Sequence, residues 1–174
     1  HHPPLLSFRG CPFLLEQKEW LAELTARRKL PDYRADAVVP DTKLQGWNYI
    51  EDSCDINSLM DYFGGFHDSV IREIHYESGD YMEGGTMYLS PSCAKKLRMV
   101  FDSSWANSIE IVFESVRLLR LVPPGENYLG DLFNASIFID NLEVYFYDEY
   151  LKERPKSHDG TWVKALGMRW RVIV

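Results

Sequence analysis

Residues 63–76 read FGGFHDSVIREIHY, and the reading of this stretch decides the fold. Two adjacent glycines, Gly64 and Gly65, supply the left-handed exit that stops a helix at little steric cost. After Phe66 apolar and polar residues alternate, the period-2 signature of a half-buried strand. The segment therefore marks a hand-over from helix to sheet, and the pair His67-Asp68 sits on the joint.

Upstream the pattern is helical. Phe13, Trp20, Leu21 and Leu24 share one face of a helix expected over Phe13 to Lys29, with Pro12 at its first turn. Glu16 and Glu19 lie near its positive end, Arg27, Arg28 and Lys29 near its negative end, and Pro31 forbids continuation. Residues 31 to 46 read as a loop. A second, short helix is expected from about Ile56 to Phe63, with Asp55 as its N-cap.

Downstream the period is two. Leu97, Met99 and Phe101 share a face, as do Ile109, Ile111 and Phe113, with an irregular hairpin between the two runs. Leu142, Val144 and Phe146 alternate with Glu143, Tyr145 and Tyr147, and Asp140-Asn141 offers a tight turn back to Ser136–Ile139. Near the C-terminus Leu166, Met168, Trp170, Val172 and Val174 are expected inward, with Arg169 and Arg171 outward. Connections too short for crossover helices give an α+β fold: a mainly antiparallel sheet of about seven or eight strands with two N-terminal helices. One domain is expected over 1–174, with 1–12 a flexible start, 13–66 helical and 67–174 β-rich. His1-His2 read as a tag remnant and carry no role, and Glu153 to Gly160 is expected to bulge out as a loop.

Charge narrows the partners. Nineteen basic against twenty-six acidic residues give a net charge of −7, and no basic run exceeds Arg27-Arg28-Lys29. A phosphate backbone requires a basic face, so nucleic acid is excluded as the expected ligand, and a basic protein partner fits better. Cys11, Cys54 and Cys93 are too few and too scattered for a disulfide framework or a zinc ribbon, so reduced thiols in the cytoplasm are expected. The longest apolar runs fall far short of the roughly 20 residues that span a bilayer, and no signal-peptide pattern is present, so no membrane role is expected.

His67 and Asp68 are the candidate catalytic residues. A metal shell around them would need further histidines nearby, yet His75 lies eight residues along the same strand, roughly 26 Å away at about 3.3 Å per residue. No metal and no cofactor are expected. A triad of His67, Asp68 and Ser69 fails because successive strand side chains point to opposite faces. The structural alternative makes Gly64, Gly65, Phe66, His67 and Asp68 one architectural motif, in which Asp68 accepts backbone N–H groups left without ladder partners.

Phe66-His67-Asp68-Ser69, the strand Val70–Ile74 and the terminal Trp170-Arg171-Val172 resemble a group of small uncharacterised bacterial proteins with an F-H-D-[SA] signature. Some of these are immunity proteins that neutralise secreted toxins. The resemblance covers residues 63 to 174 and implies a binding role without catalytic residues.

The run LEVYFYDEYLKE supplies the candidate partner-binding residues: Tyr145, Tyr147, Asp148, Glu149 and Tyr150. Tyrosine rings bury area at small entropic cost and carboxylates steer a basic partner. Alternatively, Tyr145 and Tyr147 pack beneath the N-terminal helix. Glu83, Glu126 and Asp131 lie in turn-rich loops without phosphate-loop or acid-pair spacing. Trp47, Trp105 and Trp162 sit near strand ends, where tryptophan caps a core or stacks on a sugar. The leading expectation is a non-enzymatic interaction protein, of immunity type, with a basic protein partner. A hydrolase using His67 and Asp68, and a carbohydrate or small-molecule binder, are the alternatives.

Overall fold

The computed structural model describes residues 43–125 and 130–174. The helix expected over Phe13 to Lys29 lies outside these residues. Among the described residues there is one α-helix, α1 (Ser53–Tyr62), so the described fold is largely β rather than evenly α+β. Its N-cap is Asp52, three residues before the expected cap. Asp52 accepts the Asp55 N–H (3.0 Å) and the Asp55 carboxylate accepts the Asp52 N–H (3.2 Å), a reciprocal box in which either acid looks like a cap from sequence.

The helix exits as expected, through Gly64 and Gly65 at φ of +60° and +63°, but the left-handed run extends into Phe66 at +66°. That conformation costs a bulky residue about 1–2 kcal/mol. Burial offsets it, because the Phe66 ring is fully enclosed among Phe63, Phe101 and Phe146 at centroid distances of 5.0, 5.1 and 5.6 Å.

The described residues form ten strands: β1 (Asn48–Tyr49), β2 (Ser69–Glu77), β3 (Tyr81–Glu83), β4 (Thr86–Tyr88), β5 (Lys96–Ser103), β6 (Ile109–Arg120), β7 (Asp131–Leu132), β8 (Ser136–Asp140), β9 (Glu143–Tyr147) and β10 (Trp162–Val172). The main sheet is antiparallel in the order β7-β2-β5-β6-β10-β9-β8, with β1 beside the far end of β10, while β3 and β4 form a separate hairpin. The expected Asp140-Asn141 turn is present as the two-residue link Asn141-Leu142, both at positive φ.

Sheet order and chain order together force curvature. Laid flat, seven strands would separate β7 from β8 by about 29 Å at about 4.8 Å per neighbour. Only residues 133–135 join those two strands, a connection that reaches at most about 14 Å. The sheet therefore curls until its edges nearly meet, and the Ala135 N–H closes onto the Gly65 carbonyl at 3.1 Å. Leu97, Met99, Phe101, Ile109, Ile111 and Phe113 fill the concave side as the alternation predicts.

β10 departs from its expected pattern. Val163 and Ala165 face the core and so do Met168 and Trp170, so the inward phase slips between Ala165 and Met168, next to the register shift against β6 and Ser115 at φ +53°. Val172 is at the exposed boundary and Val174 is exposed. Arg169 points outward as expected, yet it is buried on the convex face and pairs through Nη1 with Glu114 Oε1. The Trp47 ring covers Arg169 and Arg171 at 4.6 and 4.3 Å from its centroid. Beside them runs an ion-pair ladder in which Glu110 holds Arg98 (2.5 Å) and Arg171 (2.7 Å), and Arg98 reaches Glu73 (3.0 Å).

Phe66→Ala is expected to cost about 3–5 kcal/mol of unfolding free energy, measured by denaturant titration, because it empties the centre of the aromatic cluster. Burial pulls the Glu110 carboxyl upward, but the hydrogen bonds from Arg98 and Arg171 outweigh it and hold the group below its ordinary value of 4.5. Its contribution is therefore present above about pH 4.5 and lost as pH falls through the lower folded value. Glu110→Gln should cost about 1–2 kcal/mol at pH 7, and melting curves should show that gap closing on acidification to pH 3.

Candidate functional site

Beyond Tyr147 the chain leaves the sheet as Asp148-Glu149-Tyr150 and returns at Thr161 to start β10. Residues 153–160 form an irregular, largely exposed loop, as expected, but one tied back to the sheet by its side chains. Arg154 donates to Asp140 Oδ2 (2.6 Å) and lies 4.5 Å over the Tyr145 ring, drawing the loop back across the outer face of β9. Beneath it Tyr145 and Tyr147 are buried, so neither offers its ring to a partner, and the cover is this loop together with Trp162, stacked 5.5 Å from Tyr147. Burial and the Glu143 carboxylate, which accepts the Tyr145 hydroxyl at 2.8 Å, push that phenol up to about 12.

Asp148 organises the loop. One carboxylate oxygen accepts the Thr161 N–H (2.9 Å) and the other meets His158 Nε2 (2.7 Å), while the Asp148 N–H reaches the Thr161 carbonyl (3.1 Å). The His158 ring stands edge-on to Tyr147 at 5.3 Å and is almost wholly enclosed. Gly160 makes this possible: a Cβ there would lie against Asp148 Oδ1 and 2.6 Å from His158 Nε2.

The loop and the 131–134 connection form the two walls of a cleft of about 620 Å³. Asp131, Asp148, Glu149 and Asp159 bring four carboxylates to its lining, and among the described residues no lysine or arginine lines it. Phe133 and Tyr150, 72% and 64% exposed, flank the acids with open ring faces. Arg120 stands at the border, donating to the His158 carbonyl (3.2 Å) and approaching Asp159 (3.6 Å). Of the five residues expected to bind a partner, Asp148, Glu149 and Tyr150 line this cleft.

His67 and Asp68 lie on the other side of Phe133. Their side chains are about half exposed, with His67 Nδ1 3.1 Å from Asp68 Oδ1, and the His67 ring meets Phe133 edge-on at 6.4 Å. The Asp68 carbonyl, rather than its carboxylate, takes the backbone N–H of Ser104 (3.3 Å). Ser69 is buried and donates to the Phe66 carbonyl (2.7 Å), which removes it as a nucleophile for this pair. His75 is far along β2 and bonds Glu77 (3.0 Å). Among the described residues no group of three or more His, Cys, Asp or Glu is arranged to hold a metal.

Glu83 is exposed on the detached hairpin, away from Asp131, and Glu126 lies outside the described residues. Trp47 is occupied by two guanidinium groups and Trp162 by Tyr147, leaving Trp105 exposed at 72%. The sequence reading missed His158, Gly160 and Phe133. A histidine ten residues after Asp148 carries no signal by itself, because only the folded-back loop brings the two together.

Gly160→Ala is expected to destabilise the fold by about 1–3 kcal/mol and to disperse the His158 ring signals in NMR spectra, since Asp148 and His158 must move to admit the methyl group. Comparison of the chain with family models, with curated proteins and with solved structures finds no match.

Proposed function

We propose that the protein is a non-enzymatic interaction protein that engages a basic protein partner through the cleft between β9 and the 131–134 connection. The observation that carries this reading is the lining itself: among the described residues it holds four carboxylates, no lysine or arginine, and two exposed aromatic rings at the edge. Carboxylates steer and orient a cationic surface, while rings with open faces supply the apolar contact that fixes it. The net charge of −7 extends the same bias over the whole molecule. An immunity-type inhibitor of a basic toxin, the role implied by the F-H-D-S resemblance, is a partner relationship of this kind. The hydrolase reading has less support, because Ser69, the hydroxyl next to the half-exposed His67-Asp68 pair in sequence, is buried and donates to the Phe66 carbonyl.

The test is charge reversal at the exposed acids. Glu149→Lys combined with Asp159→Lys should lower affinity for the partner captured from the source cells by about tenfold or more, with the melting temperature unchanged, and the wild-type affinity should fall with added salt. Unaltered affinity in the double variant would sink the reading.

A further inference from the structure

We infer that Asp159 is a site of spontaneous isomerisation to isoaspartate, a slow covalent modification that releases the loop between β9 and β10; the inference goes beyond the basic-partner reading and does not rest on it. Asp159-Gly160 is the one Asp-Gly pair in the chain, and the chain contains no Asn-Gly pair. A following glycine leaves its amide nitrogen open to the side chain before it, because no Cβ blocks the approach and the backbone turns freely. The fold leaves this pair accessible. The Asp159 side chain is fully exposed, and Arg120 Nη1 approaches it only to 3.6 Å, a surface contact that restrains it little. Residues 157–160 belong to neither helix nor strand. By contrast Asn57-Ser58 lies within α1 and Asp102-Ser103 within β5, where regular hydrogen bonding holds the backbone in place.

The chemistry needs only water. The Gly160 amide nitrogen attacks Cγ of the protonated Asp159 carboxyl, a C–N bond forms, and the carboxyl O–H leaves as water with the amide proton. The product is a five-membered succinimide. Water then adds to either ring carbonyl: opening at Cγ restores aspartate, whereas opening at the main-chain carbonyl carbon leaves the chain running to Gly160 through Cβ and Cγ. The water released is balanced by the water taken up, and nothing is oxidised or reduced. The rearranged link is one methylene longer, and Gly160 has no room to absorb it, since even a Cβ there would lie against Asp148 and 2.6 Å from His158 Nε2. Displacing Gly160 therefore breaks the contacts by which Asp148 holds His158 (2.7 Å) and the Thr161 N–H (2.9 Å). The enclosed His158 ring is freed to solvent, and the lining that Asp148, Glu149 and Asp159 give the cleft is rearranged.

The experiment ages the full chain in warm, mildly acidic buffer beside a synthetic peptide of residues 157–162, maps isoaspartate by peptide mass spectrometry, and follows the His158 ring signals by NMR. Isoaspartate is expected at position 159 several-fold faster than at any other Asp or Asn of the chain, with a second set of His158 ring signals growing in step. Asp159→Glu keeps the charge but would have to close a less favourable six-membered ring, so it should nearly abolish modification at this position and preserve the original His158 signals. The inference is overturned if position 159 remains aspartate by the time half of the peptide has converted, if another Asp or Asn leads, or if the His158 signals change equally in Asp159→Glu. Modification of Asp159 with the His158 signals unmoved overturns it as well, because the loop is then indifferent to the longer link.

Discussion

Everything in this molecule is arranged around a short piece of chain. Residues 133–135 connect the two ends of a seven-strand path, and because so few residues cannot cross a flat sheet, the sheet has to roll up. Rolling creates the enclosed space that Phe63, Phe66, Phe101, Phe113 and Phe146 fill. It also brings the 131–134 connection against the loop that follows β9, and the cleft lies where those two meet. Core and site are consequences of one closure.

The Gly64-Gly65 turn gains a specific purpose in this light. Its left-handed path turns the Gly65 carbonyl toward Ala135, so the joint between helix and sheet is also the clasp on which the closure fastens. Phe66 accepts an unfavourable backbone conformation because that places its ring at the centre of the interior. His67 and Asp68 are then carried to the surface beside Phe133, which explains why this conspicuous pair of polar residues stands half exposed there.

Much of the sheet was legible in the sequence, and the misses have physical causes. Alternation placed Leu97 to Phe113 correctly because both strands are regular where those residues pair. In β10 it placed Met168 and Trp170 correctly but did not register that Val163 and Ala165 also face the core, because a one-residue slip against β6 shifts the inward phase and a bulge has no side-chain signature that alternation can register. Arg169 looked solvent-exposed because a pattern of faces cannot say that Glu114 and Trp47 will cover it. The site was harder to read. Asp148, Glu149 and Tyr150 stood out as an acidic-aromatic run, but their histidine and the glycine that admits it lie in a loop whose composition resembles a linker. Tyr145 and Tyr147 drew notice for the right chemistry and the wrong reason, since their rings support the loop instead of meeting a partner.

The pairing of β1 with the far end of β10 places Asn48 against Trp170, 122 residues later in the chain, and seats the Ile50 N–H on the Met168 carbonyl. β10 is also the partner of β6, β9 and β1 together, so three strands lack a neighbour until the last one emerges from the ribosome. During synthesis β6, whose first eight residues end up buried, presents an unpaired edge for the time needed to add some fifty further residues. The second edges of β6 and β9 are thus made well before the strand that covers them.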